Sequence, residues 1–136
     1  MQQNELPKIL IADNDEHILL SLERTLEDEG YATTTAVTGR ETIQTLSSGK
    51  FDLLVLDDCL SDAHCLQILA HCHSAGERPP VVVTYHRFPS PAEQRQLRSL
   101  GVNILVNKRD HAELLRNVRQ MLQPLPGCHG EFGHLT

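Results

Sequence analysis

The sequence predicts an α/β fold, a doubly wound parallel sheet of five strands, and three observations carry that expectation. Five short apolar runs alternate with helix-length amphipathic segments along most of the 136 residues, the order that parallel sheets covered by helices require. The third run, Leu53-Leu54-Val55-Leu56, is apolar without alternation, as expected of a strand buried on both faces. The first and third runs stop abruptly on acids, Asp13-Asn14-Asp15 and Asp57-Asp58. A buried strand cannot readily hold an ionised carboxylate among its apolar residues, so these acids should emerge at the carboxyl ends, where open α/β sheets place their ligand sites.

Taken in order, residues 1–7 are a polar extension ending at Pro7, and Ile9 to Ala12 form the first strand. Asp15 is placed to cap a helix in which Ile18, Leu19, Leu22 and Leu26 recur at helical spacing until Gly30 stops it. Tyr31 to Val37, rich in Thr, reads as a less buried strand, and Gly39 to Ser48 as a helix with Ile43 and Leu46 inward. After the third strand, a helix near Ala63 to His73 ends at Ser74-Ala75-Gly76. Val81 to Thr84 is a β-branched strand with a hydroxyl at its carboxyl end, followed by a polar helix from about Ala92 to Leu100 and a fifth strand from Val102 to Val106. Asp110 can cap the last helix, whose inward stripe is Leu114, Leu115, Val118, Met121 and Leu122. The domain therefore runs over 8–122, and the Pro- and Gly-rich residues 123–136 are expected to be a disordered tail.

Composition narrows the function. A formal charge of −6, from 18 acidic and 12 basic residues, argues against direct nucleic-acid binding through a basic face. No apolar run approaches the roughly 18 residues of a membrane helix, and the chain opens without an apolar signal segment. Four cysteines without a CxxC pair are expected to be reduced thiols, which predicts a cytoplasmic protein. Cys59, His64, Cys65, His71, Cys72 and His73 invite a zinc or redox reading. On a helix, however, Cys65, Leu69 and Cys72 share one face and His64, Ile68 and His71 another, so the thiols should pack inward and the histidines face water.

At the carboxyl ends of the strands should stand Asp13 and Asn14, then Asp57, Thr84 and Lys108, all on one edge. Acids, a hydroxyl and a lysine around one carboxylate suit phosphoryl transfer, because Mg²⁺ takes oxygen ligands and a phosphoryl group needs positive charge and donors. Asp58, one residue out of phase, should point away from that pocket as a surface acid.

At these residues, and over about 8–122, the chain resembles the receiver domain of two-component response regulators. Asp13 matches the first of the family's paired acids, Asp57 its phosphoacceptor, with Asp52 five residues earlier, Thr84 its Thr/Ser position and Lys108 its lysine. The resemblance implies a flavodoxin-like (βα)5 receiver fold in a signalling domain that is not an enzyme but takes part in its own phosphoryl transfer. It implies that Asp57 accepts phosphoryl from a histidine kinase or phosphotransfer protein in a phosphorelay. Mg²⁺ would be held by Asp13, Asn14, Asp57 and the Cys59 carbonyl; Thr84 and Lys108 would engage the phosphoryl group. The change would be read by an output protein the sequence does not name, and a homodimer is among the assemblies the resemblance allows.

The chain also departs from the family pattern. Asn14 replaces the second acid and predicts weakened magnesium affinity. Ser61 replaces a usual Pro, His64-Cys65 the common Asp-Gly, Leu105 an aromatic residue and Arg109 a Pro, while Tyr85 fills a position usually small. Tyr85 is expected to narrow access to Asp57. The Lys108–Arg109 bond is expected to be trans, holding the ammonium further from Asp57. Together these departures define an alternative, a degenerate pseudo-receiver that binds partners without phosphorylation.

Overall fold

The computed structural model describes residues 5–76 and 78–122. Ten elements alternate: β1 (Lys8–Ala12), α1 (Glu16–Asp28), β2 (Ala32–Ala36), α2 (Gly39–Ser48), β3 (Leu53–Asp57), α3 (Cys65–Ala75), β4 (Val81–Tyr85), α4 (Pro91–Ser99), β5 (Ile104–Asn107) and α5 (His111–Met121). The strands make one parallel sheet in the order β2-β1-β3-β4-β5. From β1 the chain moves outward to β2 and then crosses to β3 on the other side, so the winding reverses between β1 and β3. Open α/β sheets leave a crevice at the carboxyl end of such a switch point.

Strand parity divides the core. Ile9 and Ile11, Leu53 and Val55, Val82, and Val106 pack with Leu19, Leu22 and Leu26 of α1 and Leu114 and Val118 of α5. Leu10 and Ala12, Leu54 and Leu56, Val81 and Val83 pack on the opposite face with Cys65, Leu69 and Cys72 of α3 and Leu97 of α4. β3 is buried along its whole length, as the unbroken apolar run predicts, whereas β2, at the sheet edge, is buried only at Ala36. At about 1.5–3 kcal/mol for each fully buried Leu, Ile or Val side chain, these two layers fix the register, because a slip of one residue would exchange every side chain between faces.

Local chemistry sets the helix ends. The Asp15 carboxylate accepts from the backbone N–H groups of His17 and Ile18, and Gly30 leaves α1 at φ 98°, as expected from the sequence. Helix α2 turns Ile43 and Leu46 inward as expected, half-buried against the core, and adds a fully buried Thr42, its hydroxyl donating to the Thr38 carbonyl at 2.7 Å. Helix α3 starts two residues later than expected because His64 caps it, its Nδ1 accepting from the Leu66 N–H at 3.2 Å while Gln67 Oε1 accepts from the His64 N–H at 2.9 Å. Ser90 and Glu93 form the reciprocal cap of α4, with Pro91 at its first position. Strand pairing of β5 begins at Ile104 rather than Val102, although Val102 is buried.

The thiols follow the predicted face, with Cys65 and Cys72 buried; on the face expected to meet water His71 is exposed, but Ile68 is buried in the core because α3 packs over a wider stripe than one row of side chains. Burial, with Asp58 and Glu93 nearby, pushes the Cys65 thiol up to about 12, which makes it inert. Among the described residues no three His, Cys, Asp or Glu side chains converge as a metal site, and no helix is long and apolar enough to cross a membrane. Residues 1–4 and the expected tail at 123–136 lie outside the described residues.

Candidate functional site

The parity that builds the α1/α5 face also builds the site. Continuing it past the strand ends gives Asp13 after Ile9 and Ile11, Asp57 after Leu53 and Val55, Thr84 after Val82, and Lys108 after Ile104 and Val106. The ladder pairs Asp57 with Thr84 and Thr84 with Val106. Backbone bonds extend each ladder one step further, from the Asp13 N–H to the Ala36 carbonyl, Asp58 to Thr84 and Lys108 to Tyr85, at 2.8–3.1 Å. Four side chains from four strands are thus aimed at one crevice by the sheet itself.

Three of them meet. The Lys108 ammonium lies 3.2 Å from Asp13 Oδ2 and 3.2 Å from Asp57 Oδ1. Both carboxylates are only 2 % exposed, and Thr84 is buried beside them in register. Asp13 Oδ1 accepts from the Asp15 N–H at 2.8 Å, and Asp57 Oδ1 from the Asp58 N–H at 3.0 Å. Asn14 and Cys59 are exposed on the adjoining loops.

The electrostatics are those of crowded acids sharing one cation. Burial and then the neighbouring Asp13 charge push the Asp57 carboxyl up to about 7, against the opposing pull of Lys108. Burial works against the Lys108 ammonium, but Asp57 and Asp13 outweigh it and hold that group above its ordinary range. One lysine therefore does not neutralise the pair, and the site favours more positive charge. The donors it offers are hard oxygens: two buried carboxylates, with the Asn14 amide and the Cys59 carbonyl on the loops, a set that fits a small divalent cation such as Mg²⁺.

Some expectations need correction. The Lys108–Arg109 bond is trans, yet the ammonium is not held away from Asp57. The turn is made by Asn107, whose side-chain oxygen accepts from the Arg109 N–H at 2.9 Å and whose carbonyl accepts from Asp110 at 2.8 Å. Asp58 does point away from the crevice, but it is not a surface acid. It shares the parity of Leu54 and Leu56, turns toward α3 and α4, and buries its Oδ1. The Tyr85 ring meets Phe88 edge-on, with centroids 5.3 Å apart.

Sequence reasoning missed Asp62. Its carboxylate accepts from the Gly39 N–H at 2.6 Å and the Arg40 N–H at 3.1 Å, tying the loop after Asp57 to the positive end of α2. These bonds hold the Asp62 carboxyl below its usual range. No local pattern announces a contact across 23 residues.

The model of the response regulator receiver domain matches residues 9–123. The chain belongs to that family. The uncharacterised transcriptional regulatory protein YkoG of Bacillus subtilis is 30 % identical over 116 residues, 85 % of this chain and 50 % of its own length. The chain spans about half the length of the curated relatives it matches. Among solved structures, a CheY-like receiver domain from Methanospirillum hungatei superposes with a TM-score of 0.74 at 25 % identity, covering 85 % of this chain and 95 % of its own. The response regulator TrrA of Thermotoga maritima, solved in complex with Mg²⁺-BeF, gives 0.74 at 24 % identity over 86 % of this chain and 100 % of its own. The doubly wound sheet inferred from element order, and the receiver fold that the resemblance implied, are thus the fold observed, and the domain is a signalling module of two-component regulators.

Proposed function

We propose that Asp57 is the phosphoacceptor of this receiver domain and that a histidine kinase or phosphotransfer protein supplies the phosphoryl group. The observation that carries this is the buried contact of Lys108 with both Asp13 and Asp57. A merely structural ion pair would match one carboxylate to the lysine; here a second acid keeps the site short of positive charge and Asp57 poised near neutrality.

In the reaction, a carboxylate oxygen of Asp57 attacks the phosphorus of a phosphohistidine. The P–N bond breaks, the electron pair stays with the imidazole, which ends protonated, and an acyl phosphate forms. Lys108, on the α1/α5 face beside Asp57, leaves Asp57 Oδ1 and pairs with the charge that develops on the phosphoryl oxygens. Thr84, on the neighbouring strand in direct register, donates its hydroxyl to one of those oxygens. Asp13, Asn14, Asp57 and the Cys59 carbonyl would hold Mg²⁺, which supplies positive charge to the phosphoryl oxygens and to the paired acids. The Asp62 contacts tie the loop that carries Cys59 to the start of α2.

A cytoplasmic location suits such a donor. TrrA, solved with Mg²⁺-BeF, supports the magnesium requirement by analogy. The test is incubation with acetyl phosphate and Mg²⁺, read by intact mass. One added phosphoryl group that is lost on mild base treatment and absent in Asp57→Asn is the expected result. No labelling from acetyl phosphate or from any phosphohistidine donor would return the domain to the pseudo-receiver alternative.

A further inference from the structure

On the other side of β3 from Asp57, between the start of α3 and the β4–α4 loop, lies a cavity of about 220 Å³. Its walls include Val83, Leu66, Phe88 and Leu97, and Asp58 stands in its lining. The Asp58 Oδ1 atom is buried and has no hydrogen-bond partner among the described residues. The imidazole that faces it, His86 Nδ1, stands at 3.6 Å, too long for a hydrogen bond. The other acid of the wall, Glu93, is already engaged: it accepts from the Ser90 N–H at 2.9 Å and faces His64 Nε2 at 3.8 Å. Arg87 also borders the cavity and forms no ion pair among the described residues.

A buried carboxylate oxygen without a hydrogen-bond donor is uncommon in folded proteins, and the Asp58 side chain keeps 18 % of its surface exposed, so a ligand can reach the carboxylate. Beside an apolar hollow, it specifies a ligand with a charged donor at one end and a compact apolar body at the other. The size sets the body. An apolar cavity of about 150 Å³ accepts benzene, and sites for drug-sized ligands start at about 300 Å³, so this hollow suits a single ring or its aliphatic equivalent.

We propose that this cavity is a binding site for a small organic cation, a primary ammonium or amidinium carried on a compact apolar group, with Asp58 as its anion and Phe88 and Leu97 against its body. The His86 ring is 65 % exposed on its loop, free to turn aside as the cation reaches Oδ1. The site stands apart from phosphoryl transfer: Asp58 has the opposite parity from Asp57, so binding does not require Asp57 to be a phosphoacceptor.

Benzylamine is the probe, with benzyl alcohol as its neutral isostere, titrated into the full chain at pH 8 and followed by amide chemical shifts. Benzylamine should bind saturably, with shifts centred on Leu66, Phe88 and Leu97, and benzyl alcohol should bind at least about ten-fold more weakly, as for a hydrogen bond to a charged group. Asp58→Asn keeps the shape and should remove that difference; Asp57→Asn should leave both ligands unchanged. His86→Ala, which removes the imidazole facing that oxygen, should bind benzylamine at least as tightly as the wild type. Equal affinity for amine and alcohol in the wild type overturns the proposal without reference to any variant. So does retention of the difference in Asp58→Asn, loss of benzylamine binding in His86→Ala, or shifts confined to Asp13, Asp57 and Lys108.

Discussion

Asp52 and Asp57 bracket the same strand, yet the two edges of the sheet treat them differently. At the amino edge, Asp52 is exposed, its Oδ2 accepts from the Lys8 N–H at 2.8 Å, and its own N–H donates to the Lys8 carbonyl at 2.7 Å. It joins β1 to β3 by ordinary hydrogen bonds in reach of water. At the carboxyl edge, Asp57 is buried, shares one lysine with Asp13 and is driven toward protonation. The difference shows how a fold sets two carboxylates apart: not by residue type or strand, but by removing water and supplying less positive charge than the acids require.

The largest test of that contrast removes the shared cation. Lys108→Met leaves Asp13 and Asp57 buried together, and breaking a buried pair in this way costs about 3–5 kcal/mol. Protonation of Asp57 relieves part of it, so we expect about 3 kcal/mol of destabilisation at pH 8 and clearly less at pH 5, from urea unfolding in chelator. A loss below about 1 kcal/mol at pH 8 would mean that the carboxyl edge is no more crowded than the amino edge.

Next comes Asp57→Asn, which should stabilise the fold. The sign follows from the raised pKa: between the unfolded value, near 4, and about 7 the native state holds a proton that the unfolded chain has released. The wild type therefore loses stability as pH rises through that window, whereas the Asn variant does not. The full shift, in which the pull of Lys108 is already counted, corresponds to about 4 kcal/mol at 1.4 kcal/mol per unit, and solvent screening at the edge of the crevice brings the expected gain to roughly 2 kcal/mol. The gain should be absent near pH 4, grow to pH 7 and level off above. A pH-independent gain would show that shape, not charge, separates the two acids.

A smaller change adds the charge that the site lacks. Asn14→Asp should tighten Mg²⁺ several-fold by calorimetry and raise labelling at low magnesium, with the gap closing at saturation. At about 4 Å and an effective dielectric near 20, a carboxylate adds on the order of 4 kcal/mol of attraction before desolvation reduces it. Asp15 does not supply that charge freely, because its Oδ1 already accepts from His17 and Ile18. Unchanged affinity would mean that the pocket draws its charge from elsewhere.

Much of this was legible because it depends on period and sign. The alternation of elements gave the fold, Asp15, Asp110 and Gly30 marked helix ends, and the acids at strand ends located the crevice. Parity correctly sent Asp58 away from Asp57, but whether it met water or a hollow depended on how α3 and α4 pack, which no local pattern encodes. The His64 cap was hidden because imidazole is not a usual capping group, and the Asp62 tether because it joins segments distant in sequence. The reach of Lys108 does not follow from its peptide bond alone, since the turn made by Asn107 and the ladder bond to Tyr85 set where that side chain starts.

The smallest expected effect belongs to Asp52→Asn, and it is the control on which the comparison rests. The amide keeps an oxygen that can accept from the Lys8 N–H, so the contact survives while the charge is lost. A net hydrogen bond is worth about 0.5–1.5 kcal/mol, somewhat more when the acceptor is charged, and this one is exposed, so the change should cost under about 1 kcal/mol. Because neither the protonated acid nor the amide is crowded by a second acid there, the cost should not grow between pH 5 and pH 8 as the Asp57→Asn gain does. Asp52→Ala removes the acceptor altogether and should cost more than Asp52→Asn but stay below the Lys108→Met penalty. If Asp52→Asn instead cost more than about 2 kcal/mol, or its effect rose with pH through 7, both strand ends would carry frustrated charge, and crowding at Asp57 could no longer be what sets the carboxyl edge apart.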